Sequence, residues 1–94
     1  MIHHVLLTKF QDPEDCLDTV IEKLHSMEGA VPGIRSMTTG RDFLHSGRSY
    51  DLCLHVTFDT REALEAYDKH PFHQEVRKYI HAHRTASAVV DYED

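Results

Sequence analysis

The sequence predicts an α+β fold: a four-stranded antiparallel sheet with both helices on one face, in the order β-α-β-β-α-β. Three observations predict it. Stretches of period-two alternation stand at the beginning, middle and end of the chain. Two stretches with apolar residues at helical spacing separate them, and turn residues punctuate the boundaries. Several strands carry apolar residues on both faces, which predicts a second copy packed against the sheet.

Ile2–Phe10 (IHHVLLTKF) reads as the first strand. Ile2, His4, Leu6, Thr8 and Phe10 share one face, and His3, Val5, Leu7 and Lys9 the other. A helix follows with agreeing start signals: Asp12 as a cap, Pro13 at the first helical position, and Glu14 and Asp15 at the positive end of the dipole. Leu17, Val20, Ile21, Leu24 and Met27 then repeat at helical spacing. Gly29 is placed to end that helix, and Pro32-Gly33 marks the turn.

Ile34–Arg41 (IRSMTTGR) reads as a second, weaker strand, followed by a polar loop over 42–49. Tyr50–Phe58 (YDLCLHVTF) is the strongest strand. Leu52, Leu54, Val56 and Phe58 face one way, and Cys53, His55 and Thr57 the other. Asp59 with Glu62 has the spacing of a capping box opening the second helix, which carries Ala63, Leu64, Ala66 and Tyr67. His70-Pro71 breaks it, because the residue before proline is pushed out of the α region; Pro71 then suits a new first turn. Phe72, Val76 and Ile80 continue an apolar stripe to about His83, and Thr85–Tyr92 (TASAVVDY) is the last strand. The order is the ferredoxin-like βαββαβ arrangement in a single domain spanning 1–94.

Two helices cover only one face of such a sheet, and an uncovered face is ordinarily polar. Here it carries Val5 and Leu7 from the first strand, Cys53 and His55 from the third, and Ala88 and Val90 from the last. An apolar patch of this kind usually marks an interface. The simplest solution is a two-fold, face-to-face homodimer whose sheets close into an α/β barrel.

Size points the same way. The chain has 94 residues, and a domain this short buries only ~60–65% of its unfolded surface, so it gains from a partner, a metal or disulfides. Cys16 and Cys53 are the only cysteines, lie in apolar patterns and form no CxxC. MIHHV lacks the basic start and long apolar stretch of a secretion signal. The expectation is a cytoplasmic protein with two reduced, buried thiols. No apolar run approaches the ~20 residues of a membrane span. The net charge of −6, with histidine neutral, argues against a nucleic-acid partner, which calls for a basic face. The nine histidines bring that charge toward zero as pH falls through ~6.5.

With these segments in place the chain resembles the stress-responsive A/B barrel domain family, within the dimeric α/β barrel superfamily. The resemblance rests on IHHVLLTKF, PGIRSMTTGRD, YDLCLHVTFDTREALEAYDKHPFHQEV and VVDYED. Its most specific parts are Tyr67-x-x-His70-Pro71-x-His73 and Val90-Asp91-Tyr92. It implies a face-to-face dimer. Many members of the family have no assigned reaction, some plant members are linked to stress tolerance, and one plant relative is a polyketide cyclase closing an aldol ring. That relative places a tyrosine and a histidine in a cavity between helices and sheet, at positions matching Tyr67 and His73. It also has an aromatic wall on the first helix where Leu24 stands here. Thr8 and Ser87 are polar where larger apolar walls would suit a long polyketide.

The candidate site therefore centres on Tyr67 and His73 as catalytic residues, with His70 nearby. Strand alternation places His4, Leu6 and Thr8 under the helices, with Leu54, and with Ser87, Val89 and Asp91 from the last strand. Val20 and Leu24 wall the space from the first helix, and Met37 from the second strand. An apolar cavity with a few polar groups is the usual form of a ligand pocket, here for a small apolar or carbonyl-containing molecule. A neutral histidine can take a proton and a tyrosine hydroxyl can hold a developing oxyanion, a pairing suited to proton abstraction beside a carbonyl without a cofactor. The same residues have a plainer reading. His70-Pro71 is a turn, His73 fixes the helix by bonding a backbone carbonyl or Asp91, and Tyr67 is a core aromatic. Two functions follow: a small-molecule-binding or structural stress-type protein without turnover, or a cofactor-independent cyclase-like or monooxygenase-like enzyme. No metal site is expected. HExxH and Cys/His clusters are missing, His3 and His4 point to opposite faces, and His81 and His83 are two apart on a helix.

Overall fold

Alternation along Ile2–Phe10 suits β1 to an inner position in the sheet, with apolar residues on both of its faces. In the computed structural model, which describes residues 1–94, the elements that follow are α1 (Pro13–His25), a short α2 (Met27–Ala30), β2 (Ser36–Arg41), β3 (Leu52–Phe58), α3 (Arg61–Lys69), α4 (Pro71–His83) and β4 (Arg84–Glu93). The strand order is β2-β3-β1-β4, with all neighbours antiparallel. This is the ferredoxin-like fold that the element order predicts.

The register fixes which residues share a face. Leu6 stands between Leu54 and Val89, His4 between Val56 and Asp91, and Thr8 between Leu52 and Ser87. This side lies under the helices. Val20, Val56 and Phe58 are completely buried there, joined by Leu24, Met27 and Tyr67. Burying side chains of this size contributes about 1.5–3 kcal/mol each relative to exposure.

On the other side Val5 stands between His55 and Val90, and Leu7 between Cys53 and Ala88. Val90 is 61% exposed and Tyr92 45%. His3 lies flat on Tyr92, ring centroids 4.5 Å apart. Its Nδ1 is 2.8 Å from His55 Nε2, and its Nε2 donates to Asp94 Oδ2 at 3.0 Å.

Local details differ from the expectations in instructive ways. Gly29 does not end the helix. The chain bends at Ser26, runs another turn through Gly29, and leaves the helical region at Val31 (φ −111°, ψ 115°). The turn glycine is Gly33, at φ +92°, where an added Cβ would come within 3.3 Å of Ala63 Cβ. Asp12 precedes Pro13 at the helix start but makes no side-chain capping bond. The Asp59–Glu62 capping box does not form. The helix starts one residue later, Thr60 Oγ1 accepts from Ala63 N, and Asp59 pairs with Arg35 instead. β2 and β3 each start two residues late, and Asp51 explains the second delay. Its carboxylate accepts from Phe10 N at 2.8 Å, where β1 slips register against β4, while its own N–H donates to Thr8 O. Both cysteines are free; Cys16 is buried, but Cys53 on the uncovered face is only half-buried. No helix is long and apolar enough to cross a membrane.

Candidate functional site

The break between α3 and α4 builds the site. Pro71 holds His70 extended (φ −64°, ψ 134°), so α3 stops at Lys69 and α4 restarts at once. Tyr67 in the last turn of α3 and His73 in the first turn of α4 are thereby brought together, ring centroids 4.4 Å apart. The carbonyl of Asp68, freed at the end of α3, accepts from His73 Nδ1 at 3.0 Å and from Gln74 Nε2 at 2.7 Å. With Nδ1 donating, the proton is fixed there and Nε2 keeps its lone pair. Desolvation pulls the His73 pKa below the ordinary histidine value. The bond to the Asp68 carbonyl and the Asp68 charge oppose that shift, and Arg77 and His4 add to it. The net shift favours the neutral imidazole.

Tyr67 is buried against Phe58 at 5.2 Å and meets His4 edge-on at 6.0 Å. Burial, then the Asp68 charge, pushes its hydroxyl pKa far up, so it stays a phenol and a donor. His4 Nδ1 is 2.5 Å from Asp91 Oδ1 across β1 and β4.

These groups line a cavity of about 320 Å³ between sheet and helices. Of the residues expected at a pocket, the structure brings His4, Leu6, Thr8, Leu24 and Leu54 to its wall, with Ser87, Val89 and Asp91 from β4, besides Tyr67 and His73. Three others stand elsewhere. Val20 is wholly enclosed in the core beneath α1, and Met37 pairs with Val56 on β2, at the edge of the sheet away from β4. His70 caps α4, its Nδ1 accepting from Phe72 N, so the proline break takes its side chain out of the cavity.

Asp68, Val76, Arg77, Ile80, His81 and Arg84 also line the cavity. Sequence reasoning missed the charged members, although a signal was present. His73, Arg77 and His81 follow one another at four-residue spacing and so share one helical face, next to the Val76–Ile80 stripe. No group of three or more His, Cys, Asp or Glu side chains is gathered to hold a metal ion.

No curated protein matches the sequence. Solved structures do match in fold. A dimeric protein of unknown function with a ferredoxin-like fold from Bacteroides fragilis superposes with a TM-score of 0.88 at 22% identity, over 99% of this chain and 95% of its own. A dimeric ferredoxin-like protein of unknown function from Jannaschia sp. gives 0.81 at 25% identity, over 99% and 98%. The hydroxynitrile lyase of Passiflora edulis gives 0.86 at 13% identity, over 97% and 90%. The stress responsive A/B barrel domain matches residues 2–94, so the chain belongs to that family.

Proposed function

We propose that this domain is a face-to-face homodimer that binds a small organic molecule in the cavity beneath the helices of each protomer. The cavity carries the reading. Apolar walls from Leu6, Leu24, Leu54 and Val89 enclose space of ligand size, and a few polar groups converge on it: the Tyr67 hydroxyl, His73 and the His4–Asp91 pair. The dimer is supported by the uncovered face, where Val5, Leu7, Ala88 and Val90 form an apolar patch. It is supported further by two fold neighbours described as dimeric. Two free thiols suit a reducing compartment, in keeping with a cytoplasmic protein.

One observation favours a second reading, that of a cofactor-independent enzyme acting beside a carbonyl. His73 has its proton on Nδ1, tied to the Asp68 carbonyl, and its basic Nε2 free. Tyr67 stands beside it as a phenol that can donate to the oxygen of a forming enolate. The fold hosts enzymes, the hydroxynitrile lyase among them, but fold alone assigns no reaction.

A thermal-shift screen of small carbonyl compounds on the wild type, His73→Ala and Tyr67→Phe tests both readings. Binding that weakens in the variants supports the site. A ligand held equally by all three takes these residues out of it. Disappearance of a bound ligand into product, lost in His73→Ala, marks the enzyme. Light scattering at micromolar concentration is expected to give the dimer mass; a monomer would overturn the assembly.

A further inference from the structure

We propose that the ligand of this cavity is an organic anion, a carboxylate with a small apolar body, and that Arg84 holds its charged end. This rests on the cavity being a ligand site and goes on to name the class of ligand.

The arginines of the chain are unequally committed, and two of them, Arg77 and Arg84, line the cavity. Arg35, Arg41, Arg61 and Arg77 each have a carboxylate partner: Asp59, Asp18, Glu93 and Asp68. Arg84 has none, although the chain carries 16 acidic and 10 basic residues. Its one side-chain bond is from Nη1 to Ser87 Oγ at 3.1 Å. Arg84 and Ser87 both line the cavity, so this bond steadies the guanidinium at the wall and leaves most of its five N–H donors free. The two cavity carboxylates are both occupied: Asp91 faces His4, and Asp68 lies 3.7 Å from Arg77. Arg77 Nε also donates to His81 Nε2 at 3.4 Å, and an imidazole carries no negative charge to offer Arg84. At the end of α4 and the start of β4, Arg84 is therefore the cavity guanidinium without a carboxylate partner. The depth, walled by Leu6, Leu54, Val76 and Ile80, is apolar. A guanidinium with open donors facing an apolar recess matches a carboxylate bidentately, with the ligand's hydrocarbon part pointing inward. Tyr67 and His73 then meet the body of the ligand rather than its charge.

The test is an NMR titration of the wild type, Arg84→Gln, Arg84→Lys and Arg48→Gln with two probes, phenylacetate and its uncharged isostere phenylacetamide. Arg48 is also without a carboxylate partner but lies outside the cavity. The wild type is expected to bind phenylacetate about 10-fold or more tighter than the amide, since a charge-assisted bidentate contact is roughly twice as strong as a neutral one. Arg84→Gln should erase that preference, Arg84→Lys should restore part of it, and Arg48→Gln should leave it intact. Arg84 is exposed, so the variants should fold, and their spectra report this directly. Equal binding of the two probes by the wild type, or a preference that survives Arg84→Gln, overturns the anion assignment while leaving the cavity as a site for neutral molecules. If neither probe shifts any cavity resonance, both the ligand-site reading and this proposal fall.

Discussion

The two faces of one sheet solve different problems with similar residues. Under the helices, Val56 and Phe58 are closed off within a single chain, and burial is finished there except where the cavity opens beside Leu6 and Leu54. On the opposite face, Val5 and Leu7 of β1 are only half-buried and Val90 is largely exposed. The histidines divide accordingly. His4, under the helices, faces a carboxylate at the cavity wall, whereas His3, one residue away, faces another imidazole. A one-residue step in an alternating strand thus sends one histidine to the cavity wall and the next to the uncovered face.

The covered face is expected to carry protomer stability. Phe58→Ala should lose about 3–5 kcal/mol in urea unfolding, the usual range for emptying a packed aromatic site. A loss below 1 kcal/mol would mean that the core does not rest on this side. The uncovered face should respond in association instead. Val90→Asp sets like charges into the shared surface, and the dimer dissociation constant should rise at least about 100-fold while the protomer keeps its fold. Loss of folding without a change in association would reverse the roles of the two faces.

A smaller effect concerns His3 and His55. Their 2.8 Å contact needs one ring nitrogen to donate and the other to accept. Around them lie the Tyr92 ring, the Asp94 carboxylate, the N-terminal amine beside Asp94, and Thr57 opposite His3 on β3. Removing the contact in His55→Leu should raise the dimer dissociation constant by about 10-fold or less, the size of one hydrogen bond; an unchanged constant would refute a role for this pair in association. The smallest effect belongs to the covered face. Burial holds the His73 pKa down, so the unfolded chain takes the proton first. Stability from this source is complete above the unfolded value near ~6.5 and is lost as pH falls from there through the folded value. Unfolding free energy should therefore slope downward on acidification, less steeply in His73→Gln.

Most of the fold was legible because alternation and helical spacing record burial directly, and Leu52, Leu54, Val56 and Phe58 have only one face on which to pack together. Element ends were less legible. Thr60 rather than Asp59 caps α3 because the helix start is set by its packing on the sheet, and Asp51 holds β1 through a bond between residues 41 positions apart. At the cavity, the strand residues could be placed by counting twos. Arg77 and His81 escaped because a charged residue on a helix ordinarily faces water, and Arg84 because it stands at the junction of α4 and β4; only the orientation of α4 against β4 turns this set toward a cavity. Met37 and Val20 share the covered side but not the cavity, a distinction that depends on which edge of the sheet each strand and helix occupies.

The position of β1 has a further consequence, for how the chain folds. It precedes the other strands of this sheet in the chain, yet its hydrogen-bonding partners are β3 and β4, so Leu6 waits for Leu54 and Val89 to be synthesised. Closing loops of that length has an entropic cost before any contact repays it, which slows folding. Until β4 arrives, one edge of β1 is an open template for pairing with other chains. Crowded, fast synthesis should therefore favour aggregation of this protein more than its small size suggests.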